Sequence, residues 1–196
     1  MTPEIRAFEY ATGLFAVLIG LAVVDLATSF HRLLRSSTRV RWDPLALMAA
    51  LYALCLVVAM WFDLWGVRHF DATRGFFFYL SFIAEFLVLF LVAAASLPDQ
   101  PAEGTDLREY YEHTRRYLWT LLVIFQALYV ADGVYFSRGE SARISHWVLV
   151  LLNVLMVLPL VISVVLMLAK SRAVHYVGLS LLFVVLVLHY APASIN

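Results

Sequence analysis

One cysteine, Cys55, stands in 196 residues, so no internal disulfide can form and a secreted disulfide scaffold is excluded. Only 14% of the residues are charged, against about 25% in soluble domains, which is too few to cover the surface of a soluble fold of this length. Fourteen basic and fourteen acidic side chains cancel, so no whole-chain field draws the protein to nucleic acid or to acidic substrates. The one lysine, Lys170, falls at the end of an apolar run, which excludes a retinal Schiff base in mid-membrane. Missing too are a TVGYG filter, a run of arginines at every third position, a Walker phosphate loop, G-x-S-x-G and H-E-x-x-H. These absences remove the potassium-filter channel, voltage sensor, ATPase and common hydrolase readings, and leave no catalytic residue set, so an enzyme is disfavoured.

Hydrophobic residues make up 63% of the chain, and the mean hydropathy of +0.86 excludes disorder. A helix needs about 20 apolar residues to cross the hydrocarbon core, where every backbone group must be satisfied internally. Six stretches meet that length: residues 10–30, 45–65, 76–97, 117–136, 146–169 and 174–190. The expected fold is therefore all-α, one bundle of six transmembrane helices over residues 1–196, with no room for a separate soluble domain. Asp43-Pro44 reads as a helix cap and first turn, while the Pro98–Gly104 segment cannot continue a helix. Trp42, Trp61, Trp65, Trp119 and Trp147 all fall near span ends, where an amphipathic ring favours the headgroup level. Glu4 and Glu9 precede the first apolar run and no small-residue cleavage site follows it, so the first span is expected to stay in the mature protein.

Loops one, three and five hold Arg32, Arg35, Arg39, Arg41, Arg108, Arg115, Arg116, Lys170 and Arg172, whereas the other side holds Arg6, Arg68, Arg74, Arg138 and Arg143. The positive-inside rule then predicts cytoplasmic odd loops, both termini outside, and a bacterial inner membrane. Asp106, followed by Glu109 at the third position, reads as a cap, and Leu107, Tyr110, Tyr111, Thr114 and Leu118 recur at helical spacing. Helix four is thus expected to begin near Leu107, with its first turns solvated and Glu112 paired to Arg116.

Tyr10, Leu14, Leu21, Val23 and Asp25 fall on Tyr117, Leu121, Leu128, Val130 and Asp132 at a constant offset of 107. Leu80-Ser81 and Leu87-Val88-Leu89 likewise fall on Leu179-Ser180 and Leu186-Val187-Leu188. This order suggests a three-plus-three inverted repeat, a plan common in transporters. Against it stands the ease with which apolar sequences match by chance.

An ionisable side chain at mid-bilayer costs at least about 2.5–3.5 kcal/mol on insertion scales, so each requires a partner or a function. Glu85 lies deepest, with Ser81 one turn away on the same face. If protonated, it would donate to Ser81, Gln126 or a carbonyl; if ionised, it would need an arginine or a bound cation. Gln126 is the other midplane polar residue, with Tyr129 continuing its face. Asp25 and Asp132 sit toward opposite mouths, and Ser29 and Arg32 stand ready to neutralise Asp25. Asn153 and Pro159 share span five, where the proline frees a backbone carbonyl near Leu155. The set Glu85, Gln126, Asp132, Asp25, Ser81, Asn153 and Tyr129 is the expected transport path or ligand site.

The leading expectation is thus a small channel or transporter for protons, ions or a small solute. One rival is a non-catalytic bundle that binds lipid or a partner membrane protein, in keeping with the small residues Gly13, Ala16, Gly20 and Ala27 of span one and Ala46, Ala49, Ala50 and Ala53 of span two. These small residues leave open packing within one chain or between copies as a homo-oligomer. A second rival is haem or quinone binding by His31 and His175 inside and His69, His146 and His189 outside. An outer metal site from Asp63, His69, Asp71 and His146 has suitable ligand types but no characteristic spacing. No cofactor or metal is expected, and the bilayer itself is the one partner that the composition implies.

Overall fold

Six helices and their connections form the chain in a computed structural model, which describes residues 3–36, 40–67, 76–101, 104–137 and 146–191. The helices are α1 (Pro3–Arg35), α2 (Pro44–Val67), α3 (Phe76–Ser96), α4 (Leu107–Ser137), α5 (His146–Leu168) and α6 (Arg172–Tyr190). No strand occurs among the described residues; the nearest thing is an isolated bridge between Arg41 and Asp106. Five helices are long and apolar enough to cross a bilayer over their described residues, and α5 contributes a shorter apolar stretch, Val154–Leu168, within its 23 residues. The protein is a multi-pass membrane bundle.

Where helices begin follows local chemistry. Asp43 caps α2 by accepting the Ala46 N–H at 3.3 Å, and Pro44, which has no N–H to leave unsatisfied, takes the first helical position. Asp106 caps α4 by accepting the N–H groups of Arg108 and Glu109 at 2.9 and 3.4 Å. Just before it, Gly104 has φ +75°, the left-handed backbone that lets the α3–α4 connection turn into this cap. Arg41 N–H donates to Thr105 and Leu107 N–H donates to Arg41, both at 3.0 Å, so the first and third connections are stitched together.

α2 and α4 occupy the middle, with α1 and α3 packed on one side and α5 and α6 on the other. Lipid tails are as apolar as leucine, so helices associate in a membrane by close fit. α2 supplies that fit: Ala46, Ala49, Ala50 and Ala53 are all buried. The small residues of α1 do the opposite, for Gly13, Ala16, Gly20 and Ala27 face outward while Phe15, Ala22, Leu26 and Leu33 face the bundle. Phe15 packs against Phe86 and Phe82 with ring centroids 5.3 and 6.0 Å apart. α1 runs close along α3, while α4 and α6 meet through long side chains, as in Glu112–Arg172, Tyr111–His175 and Tyr129–His189.

Two side chains are placed differently from expectation. Trp119 is fully buried and donates its indole N–H to Tyr111 at 3.1 Å, whereas Trp42 and Trp61 are exposed. Because α4 starts at Leu107, Trp119 stands about 18 Å along it, inside the bundle rather than at a headgroup. The first turns of α4 are not simply solvated either, since Leu107 and Tyr111 are buried. Glu112 pairs with Arg172 at 3.2 Å and Arg115 at 3.7 Å, not with Arg116, because Arg116 lies on the exposed face.

The end of the bundle formed by connections one, three and five, called here the odd-loop end, is tied by ions. Arg172 bridges Asp43 at 2.5 Å and Glu112, joining α2, α4 and α6. Arg115 reaches the Ala169 carbonyl at 3.1 Å. His175 Nε2 lies 3.2 Å from that carbonyl, so this nitrogen carries the proton, and Nδ1 accepts from the Tyr111 hydroxyl at 2.8 Å. A neutral imidazole satisfies every partner. At the rim, slight desolvation of Asp106 is outweighed by the two capping N–H groups and the Arg41 guanidinium, which hold its carboxyl below the usual range.

Candidate functional site

The opposite, even-loop half gathers acids on three helices. Asp63 stands one turn before the end of α2, Glu85 lies nine residues into α3, and Asp132 lies five residues before the end of α4. At 1.5 Å per residue these depths are about 6, 14 and 8 Å, so the acids form a slanted layer with Glu85 deepest. Glu85 is 1% exposed, and its Oε1 has no hydrogen-bond partner; one buried oxygen of Asp132 is in the same state. Asp63 and Asp132 both lie close enough to Glu85 to act on its charge. Among the described residues no arginine or lysine forms an ion pair with any of the three.

Hydroxyls take the place of cations. Tyr190 donates to Asp63 Oδ2 at 2.6 Å, and Tyr129 also hydrogen-bonds that carboxyl. Tyr129 further lies 3.5 Å from His189 Nε2, and the His189 ring packs edge-on against Tyr190 with centroids 4.8 Å apart. Ser81 hydrogen-bonds Asp132. The layer thus runs from α3 through α4 and α2 to α6.

Beneath it, toward the midplane, α2, α4, α5 and α6 surround a cavity of about 40 Å³. Its polar wall is Tyr52, Gln126, Tyr129, His189 and Tyr190; the rest is aliphatic or aromatic, and includes Leu155 and Pro159. The proline removes the N–H that would have bonded the Leu155 carbonyl, so a backbone acceptor is released at the cavity. Gln126 is buried and bonds the Tyr52 hydroxyl.

Five of the seven expected residues, Glu85, Asp132, Ser81, Gln126 and Tyr129, are brought into this half. Their pairing differs from expectation: Gln126 meets Tyr52 rather than Glu85, since it faces the cavity, and Ser81 serves Asp132. Asp25 lies apart, near the odd-loop end. Ser29 donates to the Asp99 carboxyl and Arg32 to the Asp99 backbone carbonyl, at 3.1 and 2.7 Å, so neither hydrogen-bonds Asp25, whose Oδ2 is buried without a partner, while the Arg32 guanidinium still lies close enough to act on its charge. The Asn153 side chain lies outside the described residues. Asp63 and Tyr190 were not expected in the layer; the closeness of Asp63 to a span end concealed it.

His175 uses both ring nitrogens, and His31 is exposed on α1, so the geometry offers no facing imidazole pair there. His69, Asp71 and the His146 side chain lie outside the described residues. Among those described, no group of three His, Cys, Asp or Glu side chains is arranged to hold a metal ion. Family models, curated proteins and solved structures were all compared with the chain, and none matches it.

Proposed function

We propose that the chain is a small inner-membrane transporter that accepts a proton or small cation from the even-loop side, with Glu85 as the central binding group. The orientation is that of the arginine bias, which puts the odd loops in the cytoplasm and the acid layer toward the outside. One observation carries the reading: Glu85 is buried with a free oxygen, beside two more acids, and among the described residues no arginine or lysine is paired with them, His189 near Asp63 being the basic group at hand. A carboxyl so placed is costly to insert, and a structural role would be served better by an apolar side chain. Among the described residues the odd-loop half gathers no comparable group of unpaired acids; Asp25 on α1 and Ser163 on α5 are its single unpartnered buried groups. There Leu118, Trp119, Leu166 and Leu179 fill the interior and the Arg172 bridges seal the end. An occluded inner half suits a carrier that changes conformation better than an open pore.

The test is flux in proteoliposomes under an imposed proton or monovalent-cation gradient. Wild-type protein is expected to conduct, and Glu85→Gln, which keeps shape and loses the charge, to conduct at the level of empty vesicles. Equal flux in the two proteins would remove Glu85 from the mechanism. No flux in either would favour the lipid- or partner-binding bundle.

A further inference from the structure

We propose that the cavity between α2, α4, α5 and α6 binds a small organic ammonium ion, a primary or methylated amine of a few heavy atoms. The proposal rests on the cation reading above and names the chemical class of that cation.

Size comes first. A water needs about 10–15 Å³ of such space, so a cavity of about 40 Å³ has room for about three waters or a solute of similar bulk. Charge comes second. Among the described residues no lysine or arginine lines the cavity, His189 is the one ionisable base in its wall, and Asp63 stands immediately behind two of its wall residues, Tyr190 and Tyr129. With Asp63 and Glu85 both close to the wall residue Tyr129, an ionised carboxyl there would give a local field that favours a cation and repels an anion.

Wall chemistry then separates one kind of cation from another. Tyr52, Phe125, Tyr129 and Tyr190 contribute four aromatic rings, whose negative faces attract an ammonium within about 6 Å. Aliphatic groups such as Leu182 and Met156 would cover the carbon part of an amine. Acceptors for its N–H groups are few but present: the Gln126 amide oxygen, tyrosine oxygens and the carbonyl that Pro159 releases. A bare metal cation requires a shell of oxygens, about six for those that bind carboxylates and carbonyls, and this wall is too poor in oxygen to provide it.

The experiment is equilibrium binding of radiolabelled methylammonium to the purified full-length protein in detergent. Saturable binding is expected, competed by ethylammonium but not by sodium, potassium or neutral acetamide at the same concentration. Asp63→Asn is expected to weaken binding about tenfold or more, and Phe125→Leu, which breaks no hydrogen bond, by about three- to tenfold. Phe125→Leu keeps the question open to an answer if Asp63→Asn fails to fold. Displacement by sodium or potassium would overturn the assignment in favour of an inorganic cation, equal competition by acetamide would overturn it in favour of a neutral solute, and no saturable binding would overturn it outright. The two proposals separate cleanly. Absent methylammonium binding with flux still lost in Glu85→Gln sinks the ligand class alone, whereas binding with flux unchanged in Glu85→Gln sinks the transport role of Glu85 alone.

Discussion

At the odd-loop end Asp43 meets the guanidinium of Arg172; at the even-loop end Asp63 meets the hydroxyl of Tyr190. The first acid has a full counter-charge, a second acid sharing it, and a capping N–H. The second has hydroxyl donors and the nearby His189 ring in place of a guanidinium, and a further acid, Glu85, for a neighbour. Both arrangements satisfy the carboxyl that they surround, but only the first satisfies the charge. A neutralised network locks helices together, while an uncompensated one keeps affinity for something positive. The ion network is accordingly read as structure and the acid layer as function.

The largest effect that would sharpen this contrast is expected from Arg172→Met. It strands Asp43, whose side chain is almost fully buried, and Glu112, which is more exposed; discounted for that exposure, the loss should be about 2–3 kcal/mol. Thermal melting in detergent would register it as a lower midpoint, and an unchanged midpoint would mean that the clamp is ornamental. Next comes Tyr111→Phe, which removes the acceptor for Trp119 and the donor to His175 and should cost about 1–3 kcal/mol by the same assay.

Glu85→Gln should behave in the reverse manner. Its stability is expected to stay within about 1 kcal/mol of wild type, since no ion pair is broken, while flux disappears. A melt as damaged as that of Arg172→Met would make Glu85 structural and erase the distinction between the two ends. The smallest effect belongs to the exposed rim. Asp106 titrates below its ordinary value when folded, so its contribution is present at neutral pH and is lost as pH falls below about 4. Asp106→Asn should therefore lower the melting midpoint slightly at pH 7 and flatten the acid limb of a melting curve taken between pH 6 and 3, with the two proteins converging at the acid end.

Much of the fold was legible in sequence because bilayer thickness, caps and proline act locally. Asp43-Pro44 and Asp106 start helices where their spacing says they should. The reach of α4 to Leu107 was legible for the same reason. Partners were harder to read, since they depend on how helices rotate about their axes. Glu112 had Arg116 within one turn but found Arg172, 60 residues away. Gln126 and Glu85 share a depth but not a face, so one turned to the cavity and the other to the α2–α3–α4 junction. The small residues of α1 and α2 looked alike in sequence, yet only those of α2 are buried. Nothing local in Asp63 distinguishes it from an interfacial acid; Tyr190, 127 residues later, is what draws it into the layer.

The central claim is that Glu85 exchanges with the aqueous phase on one side despite being buried. Infrared difference spectra of reconstituted protein, recorded as acid or a monovalent cation is added and again after exchange into heavy water, address it most directly. The account predicts a carboxyl band that responds to all three changes and is missing in Glu85→Gln. A Glu85 band that stays fixed through all of them would identify a sealed packing carboxyl and contradict the account.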